Sequence, residues 1–278
     1  MLKRIFVFAL LITMLFSISG YAADTFEGYN IPVDIEINGS FIKCIEKPIL
    51  IGGNTYIPLR AFSDAISGIT EWNQQEMAAT LIKDGHSFVF YTDKSYCLID
   101  GEEKNFHSVL YRNLTFIPVR AISETLGYGV LWDDFYLTVK ITAPGVEVPE
   151  MHKDTSYTYD DMLYLGKIIY IESGAQPFKG MLAIGNVVMN RVKSSLFPGS
   201  IKEVIFDTKY GVQFPPAHTD RINVTPSRAC MVAAKCALGG VNVVGNSLYF
   251  VSAKSAPSSW AGRNRPYYTT IHGVAFYE

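Results

Sequence analysis

The segment YIESGAQP, Tyr170–Pro177, joins two apolar helical patterns in the second half of this 278-residue chain. The first pattern ends at Glu172, and the second runs from Gly180 to Val192. A carboxylate in the last turn of a helix faces the negative end of the helix dipole, which favours the protonated form and raises the pKa. A partly buried Glu of this kind holds a proton near neutral pH and donates it. We therefore predict that Glu172 is a general acid; the alternative is a solvated Glu at a helix end.

The rest of residues 159–278 follows a mainly helical pattern that changes to strands near the end. Thr158 is typical of an N-cap residue, and Gly174 predicts a left-handed stop at the end of the first helix. A further amphipathic helix is predicted over Ser227–Leu238. The alternation of apolar and polar residues over Ser247–Tyr277 predicts short strands.

The first half contains an internal repeat. The segment IPLRAF, Ile57–Phe62, recurs as IPVRAI, Ile117–Ile122, and Trp72 recurs at the same offset as Trp132. Each copy predicts a β-hairpin with a polar turn, a helix opened by Pro, and a strand pair around the Trp. Self-similarity at a fixed offset favours two copies of one structural unit.

The N-terminus is typical of a secretory signal peptide. Lys3-Arg4 is a basic region, Ile5–Ile18 is apolar, and Gly20-Tyr21-Ala22 has the small-x-small pattern of a cleavage site. The alternative is a retained membrane anchor, but the apolar run is shorter than the about 20 residues of a spanning helix. We expect cleavage after Ala22, an exported protein and no retained membrane segment.

Composition and charge limit the class of protein. A content of 49% hydrophobic and 13% aromatic residues excludes a disordered chain. The net charge of −2 hides an asymmetry, since residues 23–158 carry 10 Lys and Arg against 19 Asp and Glu, and residues 159–278 carry 12 against 7. A cationic, exported domain favours anionic surfaces such as teichoic acids and peptidoglycan, although an ordinary solvated surface explains the charge nearly as well. We expect no nucleic-acid partner.

Four cysteines are too few for a disulfide scaffold. Cys44 and Cys97 pair only if the fold brings them together, and Cys230 and Cys236 point apart on a predicted helix. Cys and His residues do not show metal-ligand spacing, so we expect no metal and no cofactor.

The repeat resembles the copper amine oxidase N-terminal-like domain, or stalk domain, of many secreted bacterial proteins. The shared pattern is a turn, an apolar residue, Pro-apolar-Arg, a helix, Gly and Trp, and it covers about residues 32–142. The resemblance implies a spacer or wall-binding role, with a wall polymer or a protein as partner. Copper ligands are not seen in the sequence of this half, and we expect Arg60 and Arg120 to anchor the two copies.

The second half resembles the SleB-type cell-wall hydrolases, the spore cortex-lytic enzymes, over about residues 163–278. The motifs that carry this resemblance, in order, are YIE (170–172), PFxG (177–180), NRV (190–192), FPxxI (197–201), VI (204–205), QF (213–214), LYF (248–250) and TIxxxxFY (270–277). Glu172-Ser173-Gly174 with Gly211-Val212-Gln213 is also similar to the lytic transglycosylase and goose-type lysozyme superfamily, in which the Glu before Ser is the sole catalytic acid. One departure is Gln176, where many family members have a second Glu.

The supply of carboxylates favours a mechanism with one acid. Ordinary glycoside hydrolysis uses two carboxyl groups, but Asp160 and Asp161 lie about 16 Å from Glu172 at 1.5 Å per residue. Asp220 is the free candidate for a second acid. The resemblance implies that Glu172 protonates the oxygen between N-acetylmuramic acid and N-acetylglucosamine. It then accepts the proton of the muramoyl C6 hydroxyl, which gives a 1,6-anhydro product, while Gln213 stabilises the developing charge.

Sugar binding requires aromatic faces and planar hydrogen-bonding groups. We predict that Tyr170, Phe214, Tyr249 and Trp260 contact the glycan and that Arg265 binds a carboxylate. Core packing is the alternative for each aromatic residue.

The predicted function is a secreted peptidoglycan lytic transglycosylase, located at the cell wall or spore envelope, that acts in spore cortex hydrolysis during germination or in wall remodelling. The alternatives are a non-catalytic peptidoglycan-binding protein with a degenerate site, marked by Gln176, and a true muramidase that uses Asp220.

The predicted fold class is α+β. It combines an N-terminal stalk domain of two β-hairpin–helix–β repeats with a C-terminal, mainly helical domain of the lysozyme and lytic transglycosylase type that has a few short strands. The predicted segments are a signal peptide at 1–22, the stalk domain at 23–142, a linker at 143–158 and the catalytic domain at 159–278. Pro144 and Pro149 in the linker favour independent domain movement, so we expect the second half to fold and cleave alone.

Overall fold

The computed structural model of the chain describes residues 25–209 and 211–278. The predicted signal peptide at 1–22 lies outside them. In the described residues, no helix is long and apolar enough to cross a membrane.

The first half is built from short antiparallel strands and two short helices. Its elements are β1 (Thr25–Phe26), β2 (Tyr29–Asn30), β3 (Asp34–Ile37), β4 (Ser40–Phe41), β5 (Ile49–Ile51), β6 (Asn54–Pro58), α1 (Leu59–Ala65), β7 (Ile69–Asn73), β8 (Ala78–Lys83), β9 (His86–Tyr91), β10 (Cys97–Ile99), β11 (Glu102–Lys104), β12 (Val109–Tyr111), β13 (Leu114–Pro118), α2 (Val119–Thr125), β14 (Gly129–Asp133) and β15 (Thr138–Thr142).

The repeat folds as two equivalent units that meet at a local two-fold axis. The hairpins β5–β6 and β12–β13 join into one four-stranded sheet of order β12-β13-β6-β5. At its centre Ile57 is paired with Ile117, and both side chains are buried. The tight turns need left-handed backbone, which Arg112 and Asn113 adopt with φ of 49° and 63°. The predicted hairpin, helix and strand pair of each copy are confirmed.

Three further sheets complete this half, and the smallest is the two-stranded pair β1–β2. Strands β7 to β11 form an antiparallel sheet of order β11-β10-β9-β8-β7. Strands β14 and β15 join β3 and β4, with β15 and β3 parallel. The apolar faces of these sheets and of α1 and α2 share one core, which includes Phe62, Phe88, Phe90 and Ile122.

The second half is a helical core with a small sheet at one side. Its elements are α3 (Tyr159–Ser173), α4 (Phe178–Lys193), α5 (Ile201–Ile205), α6 (Arg228–Leu238), β16 (Tyr249–Ser252), α7 (Trp260–Asn264), β17 (Tyr267–Ile271) and β18 (Val274–Tyr277), with 3₁₀ turns at Pro215–His218, Asp220–Asn223 and Ala256–Ser258. The three strands form an antiparallel sheet of order β16-β18-β17. The short helix α7 was not predicted from the sequence.

Helices α3, α4 and α6 pack against one another, and small residues allow α4 to approach the other two closely. A Cβ added at Gly185 would lie 2.9 Å from Ile169 Cδ1 and 3.2 Å from Ala237 Cβ. Thr158 caps α3, since its side chain accepts from the Asp161 amide and the Asp161 side chain accepts from the Thr158 amide. The N-cap prediction is thereby confirmed.

The predicted linker is packed rather than free. Ala143 and Val148 belong to the core of the first half, and Tyr157 is buried. The amide of Asp154 donates to the carbonyl of Phe41 at 2.8 Å. These contacts disagree with the expectation of independent domain movement. The sequence did not predict them, because buried apolar residues that are scattered among prolines form no periodic pattern.

A buried ion pair joins the two halves. Lys235 on α6 donates to Asp34 on β3, and its side chain is only 1% exposed. Burial lowers the pKa of Lys235, and the charge of Asp34 opposes that shift. Asp34 also accepts a hydrogen bond from the Tyr157 hydroxyl at 2.7 Å and lies 3.6 Å from the Lys47 amine.

Aromatic and ionic contacts extend this boundary. Phe178 at the start of α4 packs against Phe26 and Tyr29, with ring centroids 4.9 and 5.3 Å apart. Arg228 at the start of α6 forms a bidentate pair with Asp134, at 3.1 and 2.9 Å. Apolar and charged contacts therefore join the two halves, and these contacts stabilise both.

The four cysteines are free. Cys97, Cys230 and Cys236 are buried, and Cys44 is half-buried. Cys44 and Cys97 therefore do not pair in this structure, and the prediction that Cys230 and Cys236 do not bridge is confirmed.

Candidate active site

Glu172 lies in the last turn of α3, as predicted, and its side chain is half-buried. One carboxyl oxygen, Oε1, is buried and has no hydrogen-bond partner among the described residues. Burial raises the pKa of Glu172, and the positive charge of Arg221 opposes the shift. The direction agrees with the sequence prediction, and burial is the main cause of the shift. A carboxyl group in this setting holds its proton to a higher pH than a solvated one.

The end of α3 is shaped by Gly174, but not as predicted. Gly174 has φ −60° and ψ −16°, so its backbone is right-handed and the predicted left-handed stop is wrong. Its amide donates to the Tyr170 carbonyl at 3.0 Å, and an added Cβ would lie 2.5 Å from that carbonyl oxygen. Glycine is needed here because the turn leaves no room for a side chain, so the chain can leave the helix directly after Ser173.

Gln176 has a packing role at the start of α4. Its amide donates to the Ser173 carbonyl at 2.8 Å. Its side-chain Oε1 lies only 2.3 Å from the position that a Cβ at Gly180 would take. The PFxG motif thus makes room for the side chain at position 176.

The 3₁₀ turn Asp220–Asn223 packs against α3. It supplies Arg221, whose charge acts on Glu172, whereas Asp220 is exposed. Within the described residues, the pKa of Glu172 is shifted by its own burial and by the charge of Arg221, and a second carboxylate does not contribute. Sequence reasoning missed Arg221, because no motif connects it to Glu172 along the chain.

Gln213 and Phe214 follow the glycine turn at Gly211, where φ is +97°. The Gln213 side chain is partly exposed, and its Nε2 donates to the Gly211 carbonyl at 3.0 Å. Phe214 is 0% exposed and packs against Phe250, with ring centroids 6.1 Å apart. Phe214 therefore supports the loop from the core and presents no face to a sugar, which corrects its prediction as a glycan contact.

Tyr249, Trp260 and Arg265 lie together in the structure. The Arg265 guanidinium lies 4.9 Å from the Tyr249 ring centroid and 5.1 Å from that of Trp260, and its Nη2 donates to the Tyr249 hydroxyl at 3.2 Å. Trp260 is 54% exposed and Tyr249 is half-buried. This cluster combines an exposed aromatic face with a planar cation, as a glycan or carboxylate site requires.

Tyr170 is also exposed, two residues before Glu172 on α3. The contacts of the described residues do not join Tyr170 or Glu172 directly to the cluster of Tyr249, Trp260 and Arg265. The structure therefore shows two neighbourhoods, one around Glu172 and Arg221 and one around that aromatic cluster.

Arg191 lies beneath the aromatic cluster and was predicted only as part of the NRV motif. Its guanidinium is buried between Phe197 and Phe214, at 4.8 and 5.1 Å from their ring centroids. Its Nε donates to the Leu248 carbonyl at 2.8 Å, and Nη1 is buried without a partner among the described residues. Burial lowers the pKa of Arg191 to about 10. Arg191 thus links α4 to Phe214, next to Gln213, and to Leu248, directly before strand β16.

Both halves match family models of known proteins. Residues 175–277 match the family model of Cell Wall Hydrolase, and residues 36–141 match that of the Copper amine oxidase N-terminal domain. The second half is therefore similar to cell wall hydrolases and the first half to copper amine oxidase N-terminal domains, and both predicted resemblances are confirmed. The hydrolase match begins at Ala175, three residues after Glu172.

Several curated relatives are named "Spore cortex-lytic enzyme". One from Bacillus cereus is 30% identical over 116 residues, which are 40% of this chain and 44% of the relative. One from Oceanobacillus iheyensis is 29% identical over 117 residues, 42% of this chain and 40% of the relative. One from Bacillus subtilis is 29% identical over 104 residues, 37% of this chain and 33% of the relative. The chain thus matches less than half the length of these relatives.

Two solved structures are also similar. They are the catalytic domain of the germination-specific lytic transglycosylase SleB from Bacillus anthracis and that of the Bacillus cereus SleB protein. Both are 28% identical to this chain and cover 45% of it, with 99% and 98% of their own chains matched and TM-scores of 0.41 and 0.39.

Proposed function

We propose that the protein cleaves peptidoglycan at the bond between N-acetylmuramic acid and N-acetylglucosamine, as a lytic transglycosylase with Glu172 as its single catalytic acid. The observation that carries the proposal is the Glu172 carboxyl, buried on one oxygen, without a hydrogen-bond partner among the described residues, and with a raised pKa. Its place directly before the segment that matches the cell wall hydrolase family supports the assignment.

The reaction requires one group that gives and then takes a proton. Protonated Glu172 donates its proton to the glycosidic oxygen, the C1–O bond breaks, and the N-acetylglucosamine side leaves with its hydroxyl restored. The Glu172 carboxylate then accepts the proton of the muramoyl C6 hydroxyl as that oxygen bonds to C1. The acid is regenerated and the product is a 1,6-anhydro sugar, so water does not take part.

The surroundings of Glu172 suit this cycle. Burial favours the protonated acid, while the Arg221 charge keeps the carboxylate accessible for the second step. We propose that the partly exposed amide of Gln213 stabilises positive charge that develops at C1. Tyr249, Trp260 and Arg265 then bind the glycan and a lactyl or peptide-stem carboxylate.

Glu172→Gln tests the assignment because it removes the proton donor and keeps the shape of the side chain. Loss of an obligatory general acid reduces a rate by about 10²–10⁴-fold. Mass spectrometry of fragments released from purified peptidoglycan should show anhydro ends with the wild type and less than about 1% of that release with the variant. The matched control is Asp220→Asn, which should release anhydro fragments at nearly the wild-type rate.

Stability provides a second control. The folded-state pKa of Glu172 is raised above the unfolded value, so its stabilising contribution is complete below the unfolded pKa and is lost as pH rises through the folded pKa. Glu172→Gln, which cannot ionise, should therefore be no less stable than the wild type at neutral pH. Reducing ends that depend on Asp220 would support a two-acid muramidase instead. A wild type that binds peptidoglycan but releases nothing would support the non-catalytic alternative.

Gln176→Glu tests whether a second acid is needed. Under the single-acid proposal the substitution changes the rate by only a few fold and leaves the anhydro product unchanged. A wild type without activity that becomes active on this substitution would show that the natural site is degenerate.

The biological setting is proposed more broadly. The relatives named "Spore cortex-lytic enzyme" support a role in cortex hydrolysis during germination, with the protein exported to the cell wall or spore envelope. Comparing release from vegetative sacculi and from cortex that bears muramic-δ-lactam tests this choice. A preference for vegetative sacculi would favour wall remodelling.

A further inference from the structure

The local two-fold axis of the first half creates two equivalent surface grooves. Each groove is lined by the Pro-apolar-Arg-Ala segment and the Trp of one repeat, together with the hairpin turn of the other repeat. The first groove, of about 580 Å³, includes Arg60 and Trp72 with the turn residues Asn113 and Thr115. The second, of about 530 Å³, includes Arg120 and Trp132 with Gly53 and Thr55.

The second groove is bordered by the hydrolase domain. Arg228 from α6 lines it and forms its bidentate pair with Asp134. The groove's own arginine is engaged as well, since Arg120 donates to Glu124 at 3.2 Å and to the Val130 carbonyl at 3.1 Å. Trp132 is only partly exposed and packs against the cores of both halves. The second groove thus serves as a contact between the two domains.

None of the described residues that line the first groove belongs to the hydrolase domain. Trp72 is 49% exposed, and its Nε1 donates to Gln74 at 3.0 Å, which holds the indole in place. Arg60 is exposed, and no hydrogen bond or ion pair engages it within the described part of the chain. Gln74 stands at the position of Asp134 in the repeat, so the acid that holds Arg228 in the second groove is missing from the first.

We propose that the first groove binds a muramoyl-containing glycan strand, so that the stalk domain holds the same polymer that the hydrolase domain cleaves. This inference rests on the proposed function for the identity of the polymer. A pyranose ring has an apolar face of C–H groups and a rim of hydroxyls, which match the exposed Trp72 face and the polar side chains of Glu71, Asn113 and Thr115. The volume lies within the range of about 300–1,000 Å³ that is typical of small-ligand sites.

Arg60 specifies the muramoyl part of the ligand. An unpaired, planar guanidinium forms its strongest contacts with carboxylates, which it binds through two parallel hydrogen bonds. The lactyl group or peptide stem of N-acetylmuramic acid supplies a carboxylate, and N-acetylglucosamine does not. The groove should therefore prefer a muramoyl-containing strand over chitin oligosaccharides of the same length.

Binding is measured with the full chain carrying Glu172→Gln, so that the probes stay intact. The probes are soluble peptide-bearing glycan strands prepared from purified peptidoglycan, and a chitin hexasaccharide. Added Trp72→Ala should weaken binding of the glycan strands at least about tenfold, as expected for loss of an aromatic anchor. Added Arg60→Gln should remove the preference for the muramoyl strand. Trp72→Tyr, which keeps an aromatic face, should retain most of the affinity.

The second repeat supplies the matched control. Arg120→Gln removes the equivalent guanidinium, already engaged by Glu124 and the Val130 carbonyl, from the second groove and should leave binding of the glycan strands unchanged. Equal affinity of the Trp72→Ala variant and its parent would overturn the proposal, as would a wild-type groove that binds chitin as tightly as the muramoyl strand. Failure of the proposed function is seen separately, as absence of anhydro fragments from the wild type on soluble strands. Arg120→Gln in an otherwise wild-type chain should still release those fragments.

Discussion

Removing the charge of Asp34 is the most direct test of how the two halves depend on each other. Asp34→Asn leaves the Lys235 amine buried, at 1% exposure, without its anionic partner. Breaking a buried ion pair by removal of one partner costs about 3–5 kcal/mol, because the remaining charge is uncompensated. We expect a loss of this size in the free energy of unfolding of the full chain.

The reciprocal substitution should cost less. Lys235→Met removes the lysine charge, but Asp34 keeps the Tyr157 hydroxyl at 2.7 Å and the Lys47 amine at 3.6 Å. Methionine also fills most of the space left by the lysine stem. The double variant should be more stable than Asp34→Asn alone, since it removes the buried charge that the single variant leaves unpaired.

Urea unfolding followed by circular dichroism measures these differences, with a single transition expected for the wild type. The Asp34→Asn deficit should shrink as pH rises, because without Asp34 the pKa of Lys235 falls further and the amine neutralises more easily. A deficit below about 0.5 kcal/mol at neutral pH, the size typical of surface substitutions, would refute the reasoning. The same contacts lead us to expect that residues 159–278 alone are less stable than in the full chain.

Two further outcomes follow from the site. Arg221→Gln removes the charge that lowers the pKa of Glu172, so the decline of fragment release at high pH should move to higher pH. Arg221→Lys keeps the charge and should leave the decline at the wild-type pH. Rates of fragment release measured from pH 4 to 9 check both expectations. Gly262→Ala would bring a Cβ within 1.9 Å of the Ala256 carbonyl oxygen and should lower the melting temperature and the glycan affinity together. Gly199→Ala, with open space around it, should change neither. Unchanged glycan affinity of the Gly262 variant would argue against the aromatic cluster as a binding site.

Local pattern predicted most of the elements. The repeat predicted both hairpins and their turns, since the turn residues and the Pro-apolar-Arg segments act through neighbouring backbone. The apolar periodicity predicted the helices now defined as α3, α4 and α6, and Ser227 caps α6 as its type suggests. Glu172 was placed in the last turn of α3 from the sequence alone.

The features that local pattern did not predict depend on contacts between distant parts of the chain. Lys235 lies in an apolar helix, and nothing near it in sequence indicates Asp34 as its partner. Phe214 lies in a polar loop but is buried because Arg191 and Phe250 cover it. Arg221 acts on Glu172 only because its 3₁₀ turn packs against α3. In each case burial is set by tertiary packing, which periodicity does not record.

The first half also takes part in positioning the candidate acid. Helix α3 begins at Tyr159, next to Tyr157, whose hydroxyl donates to Asp34 on β3. The Tyr159 hydroxyl in turn donates to Glu36 on the same strand. The end of α3 opposite Glu172 is therefore fixed on the first half by two hydrogen bonds, and α6, which packs against α3, is held by the Lys235 pair. A rigid helix transmits a shift at one end to the other, so loosening these contacts should move the Glu172 carboxyl relative to Arg221 and lower activity as well as stability.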